Sequence, residues 1–321
     1  MYTINQIASI IKARPFPAEV DGPIEHILLD SRKLLFPGTT IFFALEGQRR
    51  KGGAFIAELY QKGVRAFVVD ESFTQDERAT LPGAICLQVT DVLQALHLLA
   101  AFHRQQFSIP LIGITGSNGK TMVKEWLYQL LQDDHHIVRS PKSYNSQVGV
   151  PLSVWQMNAG HSLGIFEAGI SQPDEMQKLA RIIDPTIGVF TSIGEAHGEG
   201  FLNIRQKINE KLKLFVNSRV LIYCADDPDM NEAVNTFKNN VRSGDDFELL
   251  SWSKKGSAAL QVVEVKTASD QTSIIAQWKA EKIEFTIPFT DVASIENAIT
   301  CCCVLLYLGV DAPTIAQRMQ E

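Results

Sequence analysis

A glycine-rich loop between an apolar strand and a helix constrains the fold of this chain more than any other segment. The run Gly116-Ser117-Asn118-Gly119-Lys120-Thr121 follows the apolar residues 111–114 and opens a helical pattern. In this context glycines let backbone amides surround phosphate oxygens, and the helix N-terminus adds positive potential. Lys120 can reach the terminal phosphates, and the Thr121 hydroxyl can bind Mg²⁺. The strict P-loop pattern has glycine where this chain has Ile114, so the alternative is a glycine-rich turn with an incidental Lys-Thr.

Strand and helix patterns alternate strictly after Pro110. Strand candidates lie at 111–114, 137–139, 163–166, 187–191 and 220–223, and helix patterns at 120–132, 173–183, 204–216 and 228–237. Several strands are apolar almost throughout, as strands covered on both faces should be. This rhythm predicts an α/β fold with a doubly wound, mostly parallel sheet. Strand-like runs at 260–266, 273–278 and 282–287 predict an antiparallel addition to it.

The length of 321 residues predicts two or three domains. The first third also alternates strands and helices, and its last helix ends before Ser108-Ile109-Pro110. We therefore predict an α/β domain over residues 1–108, a nucleotide-binding domain over 109–309, and the start of a linker over 310–321.

Composition excludes several classes of partner. With 30 basic and 36 acidic residues the formal charge is −6, which favours neither nucleic acid nor an anionic membrane. No apolar run approaches the roughly 18 residues of a membrane span, and the N-terminus lacks a signal sequence. The five cysteines show no metal-binding spacing, which predicts buried reduced thiols. These features predict a cytoplasmic location.

Three further positions carry candidate chemistry. Glu167 ends the apolar strand 163–166, where a carboxylate suits a magnesium ligand; the alternative is a solvated loop glutamate. His197, of the seven histidines, is the one that follows a strand end within a glycine-rich loop. The helix at 204–216 carries Lys207, Lys211 and Lys213, which taken alone indicate a solvated basic face.

Three of these segments resemble motifs of the Mur ligase family, the ATP-dependent amide-bond ligases of peptidoglycan precursor synthesis. Residues 115–121 resemble its TGTNGKT loop, Glu167-Ala168-Gly169 its E-x-G magnesium carboxylate, and 192–201 its N-I-G-x-A-H-x-E-x-F segment. The resemblance implies two Mg²⁺ ions held by Thr121, Glu167, His197 and Lys211. It also implies that Lys211 is carbamylated, with Lys207 as the competing position, and that Lys120, Glu167, His197 and Lys211 are catalytic.

Other segments resemble one branch of the family, which joins D-alanyl-D-alanine to UDP-N-acetylmuramoyl-tripeptide. These are residues 143–152, Asp30-Ser31-Arg32 and 43–47, the last two in its UDP-sugar-binding domain. The resemblance implies substrate contacts at Ser31, Arg32, Gly47 and Asn145. It implies ATP contacts at residues 116–121, Asp227 and Asn297.

The nucleotide segments also depart from the family pattern. Cys224 replaces an asparagine, and Ala293 and Ser294 stand where histidine and asparagine are usual. Because the phosphate and metal residues are retained, we expect altered packing around the adenine base rather than an inactive site.

The resemblance implies an ADP-forming ligase that acts through an acyl phosphate. Two alternatives are another ligase of the superfamily, such as a folate polyglutamylating or tripeptide-forming enzyme, and a nucleotide-binding scaffold without ligase activity. The family ordinarily has a third domain that closes over ATP. We therefore expect this chain to turn over slowly alone, with one or more further domains joined after Glu321 in the whole protein.

Overall fold

The computed structural model describes residues 1–16, 21–47, 51–194, 200–241 and 246–320 of the chain. The chain folds into two compact units, Met1–Gln106 and Phe107–Glu321. The division falls two residues before the boundary that the sequence predicts at 108.

Unit 1 is an α/β unit. Its strands are β1 Tyr2–Thr3, β2 Arg14–Phe16, β3 Pro23–Ile24, β4 His26–Leu28, β5 Thr40–Phe43, β6 Ala66–Val69 and β7 Ile85–Gln88, and its helices are α1 Ile4–Ile10, α2 Ile56–Gln61, α3 Gln75–Ala79 and α4 Val92–Gln105. Thr3 begins α1 because its side chain accepts a hydrogen bond from the backbone of Gln6, whose side chain bonds back to Thr3.

The main sheet of unit 1 has the order β2-β7-β6-β5-β4. Its central pairs are parallel, and β2 at the edge runs antiparallel to β7. All four residues of β5 and of β6 are buried, because helices cover both faces of a parallel sheet. Phe42 and Phe67 meet edge to face at 6.5 Å in the core below α2.

Unit 2 is larger. Its strands are β8 Leu111–Thr115, β9 Ile137–Arg139, β10 Leu163–Glu167, β11 Ile187–Phe190, β12 Val220–Cys224, β13 Glu248–Ser253, β14 Leu260–Thr267, β15 Thr272–Trp278 and β16 Glu281–Ile287, and its helices are α5 Lys120–Leu131, α6 Gly149–Val154, α7 Glu175–Ile183, α8 Ile204–Leu212, α9 Pro228–Val241, α10 Val292–Tyr307 and α11 Ala312–Arg318.

Among the described residues these strands form one nine-stranded sheet in the order β16-β15-β14-β13-β12-β11-β8-β10-β9. Along this order, every pair of neighbouring strands between β14 and β9 is parallel. The pairs β14–β15 and β15–β16 are antiparallel. This confirms the predicted doubly wound sheet with an antiparallel addition. After β8 the chain forms β9 and β10 on one side of β8, and it then forms β11 on the other side of β8. The carboxyl end of β8 is therefore the switch point where such sheets bind ligands.

Three parts of unit 2 differ from the sequence prediction, and the first is α6 at Gly149–Val154, which the sequence patterns did not predict. The strand β13 was not predicted, because Glu248 and the serines within it interrupt the apolar pattern. The predicted linker start at 310–321 instead contains α11, which packs on unit 2 with Ile315 fully buried. Asp311 caps this helix, and Arg318 donates to Leu130 O at 2.7 Å and to Asp134 at 2.6 Å.

All five cysteines are unpaired with one another in the structure. Cys86 is buried in unit 1, Cys224 is half-buried, and the three consecutive cysteines Cys301, Cys302 and Cys303 are fully buried on α10. Burial raises the pKa of the Cys86 thiol to about 11 and raises the pKa of the three α10 thiols further. Over the described ranges, the structure contains no helix long and apolar enough to cross a membrane.

Candidate active site

The phosphate loop joins β8 to α5 and requires glycine at two positions. Gly116 has φ +151° and Gly119 has φ +83°, which L side chains rarely adopt. A Cβ atom at Gly116 would lie 2.0 Å from Thr191 Oγ1, and one at Gly119 would lie 2.5 Å from Asn297 Oδ1. The loop therefore packs against the end of β11 on one side and against α10 on the other.

Residues after β11 hold the loop in place. Ser117 N donates to Ser192 O at 2.7 Å, and Thr191 Oγ1 donates to Asn118 O at 2.6 Å. Sequence reasoning did not assign a role to Thr191 or Ser192. Their signal was a polar pair directly after an apolar strand beside the switch point.

The polar groups of the loop fit a phosphate ligand. Lys120 Nζ donates to Gly116 O at 2.9 Å and to Ser117 O at 3.1 Å, so its ammonium lies over the loop. The Ser117 hydroxyl is buried and has no hydrogen-bond partner among the described residues. A buried hydroxyl without a partner costs about 1–3 kcal/mol, which a phosphate oxygen at this position would relieve.

A hydroxyl and a carboxylate meet at the start of α5. Thr121 Oγ1 donates to Glu167 Oε2 at 2.9 Å, and Glu167 is fully buried at the end of β10. These oxygen ligands suit Mg²⁺, which usually binds one or two protein groups together with substrate phosphates. His197, the predicted third ligand, lies outside the described residues. Within the described part of the chain no three His, Cys, Asp or Glu side chains converge on one point.

Two lysines of α8 are buried beside the loop instead of forming a solvated face. Lys211 Nζ donates to Gly116 O at 3.2 Å, and Lys207 Nζ donates to Gly194 O at 3.3 Å. Both are almost completely buried. The burial that carbamylation requires is thus met at Lys211, and equally at Lys207.

A cavity of about 430 Å³ opens on one side of the loop. It lies between the ends of β11 and β12, the start of α9 and the first turns of α10, and its size suits a nucleoside. Asp227 and Asn297, the two predicted ATP contacts outside the loop, both line it together with Asn118 and Gly119. Cys224 and Ala293, where the sequence departs from the family pattern, line it too, as does the unpredicted Trp252.

A second cavity of about 400 Å³ lies on the other side, lined by Lys120, Asn145, Gln147, Gly169 and Glu175 among others. Asn145 packs directly on the strand end: its backbone carbonyl accepts from Gly169 N at 2.8 Å. Lys120 lines this cavity, whereas Asn118 and Gly119 of the same loop line the first. A nucleotide in the first cavity would therefore direct its terminal phosphate toward the second.

Three of the predicted substrate-binding residues, Ser31, Arg32 and Gly47, lie in unit 1. Ser31 is buried, whereas Arg32 and Gly47 are exposed. Asp30 accepts from the Arg32 side chain at 2.7 and 2.9 Å, and this hydrogen bonding lowers the pKa of Asp30 to about 2. The guanidinium is thus held in one orientation at the surface of unit 1. The substrate contacts of these residues stay a prediction.

Sequence reasoning also missed Lys124, which is completely buried beside Glu167. The signal was available: on α5 this lysine shares one helix face with the apolar residues Leu127 and Leu131. A lysine within an apolar stripe requires buried acceptors, and these come from Ser140 and Lys142 after β9 and from Glu167 at the end of β10, all distant in sequence.

The model of the Mur ligase middle domain matches residues 114–305. The UDP-N-acetylmuramoyl-tripeptide–D-alanyl-D-alanine ligase of Treponema pallidum (strain Nichols) is 28% identical over 320 residues, which are 98% of this chain and 67% of the relative. The enzyme of the same name from Bacillus subtilis (strain 168) is 29% identical over 264 residues, which are 79% of this chain and 56% of the relative. The chain thus spans a little over half to two thirds of the length of these relatives.

Solved structures show the same fold. MurF from Acinetobacter baumannii superposes with a TM-score of 0.86 at 21% identity, covering 100% of this chain and 68% of that one. MurF from Thermotoga maritima in complex with ADP superposes with a TM-score of 0.77 at 23% identity, covering 91% of this chain and 65% of that one.

Proposed function

The chain belongs to the Mur ligase family, and on this premise we propose that it activates the terminal carboxylate of UDP-N-acetylmuramoyl-tripeptide with ATP and joins it to D-alanyl-D-alanine. The observation that carries the proposal is the position of the phosphate loop between two cavities, with Lys120 facing the second. The names of the relatives from Treponema pallidum and Bacillus subtilis support the choice of substrates. We further propose that the reaction takes place in the cytoplasm, where ATP is available.

The proposed reaction has two steps. A carboxylate oxygen of the tripeptide attacks the γ-phosphorus of ATP, the bond to the β-phosphate oxygen breaks, and an acyl phosphate and ADP result. The free amine of D-alanyl-D-alanine then attacks the acyl carbon, inorganic phosphate leaves from the tetrahedral intermediate, and the amine loses a proton. Activation is needed because a carboxylate alone is a poor acyl donor, and phosphoryl transfer depends mainly on positioning and charge stabilisation.

The residues of this chain take distinct parts in these steps. Loop amides and Lys120 hold the β- and γ-phosphates, while Asp227 and Asn297 face the nucleoside cavity. Thr121 and Glu167, together with His197 and Lys211, would hold Mg²⁺, which neutralises charge on the transferred phosphoryl group. Asn145 contacts the peptide substrate in the second cavity, and Ser31, Arg32 and Gly47 contact the UDP-sugar.

The test is ADP release by this chain under four conditions: with both substrates, with UDP-N-acetylmuramoyl-tripeptide alone, with D-alanyl-D-alanine alone, and with neither. We expect release only when UDP-N-acetylmuramoyl-tripeptide is present, and new peptide product only when D-alanyl-D-alanine is added. Because the rates of ADP release with and without each substrate are compared within one preparation, the result does not depend on how fast this chain turns over. A preference for UDP-N-acetylmuramoyl-dipeptide with a diamino acid, or for a folate with glutamate, would contradict the choice of substrates. ATP binding without ADP release under any condition would indicate a scaffold.

We also propose that Lys211 is the carbamylated residue, which converts a cation beside the loop into a metal-binding anion. Under ¹³C-labelled bicarbonate, the protein is expected to show one carbamate carbonyl resonance that is absent from Lys211→Ala and present in Lys207→Ala. Lys213→Ala is the matched control, because Lys213 lies on the same segment but is partly exposed, and its ammonium pairs with Glu210. A resonance that disappears in Lys207→Ala instead would assign the modification to the other lysine.

A further inference from the structure

Lys124 is a fully buried lysine at the centre of unit 2, one helical turn after Lys120. Four oxygen atoms surround its ammonium group. Nζ donates to Ser140 O at 2.8 Å, to Lys142 O, to Glu125 Oε1 at 3.0 Å and to Glu167 Oε1 at 3.4 Å. The group therefore touches α5, the turn after β9 and the end of β10.

Burying an ammonium group costs free energy, and the surrounding protein has to offset this cost by hydrogen bonds and an opposite charge. An unpaired charge in a protein interior is penalised by several kcal/mol, whereas a paired and hydrogen-bonded charge is tolerated. Here the three donors of the ammonium are satisfied, and two carboxylates supply the opposite charge: the partly exposed Glu125 at 3.0 Å and the fully buried Glu167 at 3.4 Å.

The two oxygen atoms of Glu167 have different partners. Oε1 accepts from Lys124, and Oε2 accepts from the Thr121 hydroxyl at the end of the phosphate loop. Lys124 thus restrains the carboxylate through Oε1, which leaves Oε2 directed toward Thr121 of the loop. Groups that hydrogen-bond a metal-binding carboxylate from behind fix its orientation and raise metal affinity.

We propose that Lys124 is a positioning residue that holds Glu167 in the orientation required for Mg²⁺ binding with the nucleotide. The inference rests on the magnesium-binding part of the proposed function, but not on which substrates are joined. Lys124 itself touches neither nucleotide nor metal in this arrangement, because its whole side chain is enclosed by protein.

The same lysine connects the metal side of the site with the peptide side. Ser140 bonds to Lys124 through its carbonyl and accepts from Glu167 N at 3.3 Å through its hydroxyl. The next acceptor, Lys142, lies in the left-handed backbone region at φ +51°, which is unfavourable for a residue with a side chain. Lys124 therefore stabilises the turn that leads into Asn145.

The experiment is calorimetric titration of the chain with ADP at a series of MgCl₂ concentrations. In Lys124→Met we expect the half-saturating Mg²⁺ concentration to rise about 10-fold or more, the usual effect of losing a group that supports a metal ligand. ADP affinity at saturating Mg²⁺ should change much less. Glu125→Gln is the matched control, because it removes the other carboxylate on the same ammonium; its Mg²⁺ dependence should match the wild type.

Lys124→Gln is the second variant, and it gives a result even if Lys124→Met does not fold. Glutamine keeps a hydrogen-bond donor and much of the length of the lysine side chain. The rise in half-saturating Mg²⁺ is expected there as well. A folded Lys124 variant with wild-type Mg²⁺ dependence would overturn the proposal, as would an equal shift in Glu125→Gln. If the Mg²⁺ shift occurs but no substrate pair releases ADP, the proposed ligation is wrong and the role of Lys124 stands. If wild-type ADP binding does not respond to Mg²⁺, the metal role of Glu167 and this inference both fail.

Discussion

Replacing Lys120 by alanine is expected to reduce ADP release by about 100-fold or more, because a positioned donor on a charge that develops in the transition state contributes at least that much. The variant should fold normally. Lys120 is only half-buried, and two of the hydrogen bonds it gives up are to carbonyls of its own loop, so we expect the free energy of unfolding to fall by about 1–2 kcal/mol.

The measurements are substrate-dependent ADP release and urea unfolding followed by tryptophan fluorescence, which reports on unit 2 because all four tryptophans lie there. Lys178→Ala is the matched control, since Lys178 is an exposed lysine of the same unit on α7. ADP release at a near wild-type rate in Lys120→Ala would show that the loop does not take part in phosphoryl transfer.

Replacing Gly116 by alanine is expected to damage both stability and nucleotide binding. The backbone at φ +151° costs a residue with a side chain about 1–3 kcal/mol, and the new methyl group would meet Thr191 Oγ1 at 2.0 Å and Ser192 O at 3.0 Å. Crowding in a packed site adds about 1–3 kcal/mol. We therefore expect the free energy of unfolding of unit 2 to fall by roughly 2–6 kcal/mol. ADP binding should become undetectable because Thr191, which holds the loop, is displaced.

Urea unfolding and ADP calorimetry check this result. The control is Gly256→Ala in the same unit, where φ is not positive and the nearest atom to an added Cβ is 4.0 Å away; it should change stability by less than about 0.5 kcal/mol. If Gly116→Ala bound ADP as the wild type does, the close packing of the loop on Thr191 would be wrong.

Local patterns predicted most of the fold that supports the site. The strand, glycine loop and helix around Lys120 are encoded within twenty consecutive residues, and the structure places Asp227 and Asn297 on the cavity beside the same loop. The elements that were missed depend on distant partners. Strand β13 carries polar residues and exists because β12 and β14 pair with it, and α11 is held by contacts with residues 130 and 134 of α5 and the turn after it.

The same distinction applies to the site residues. Glu167 could be predicted because a strand end is a local feature, whereas the burial of Lys124, Lys207 and Lys211 depends on which segments the sheet brings together. A lysine on a helix has the same local sequence signal whether its ammonium is solvated or enclosed. The role of His197 stays a prediction, since that residue lies outside the described ranges.

The three consecutive cysteines of α10 have a practical consequence. They point in three directions around the helix, yet all are covered, and their raised pKa keeps the thiols protonated in the native state. A thiol reagent can modify them only after α10 separates from the sheet and α5. The rate at which these sulfurs are alkylated therefore measures how often unit 2 opens, without any added label, and a ligand that closes the phosphate loop against Asn297 of the same helix should slow that alkylation.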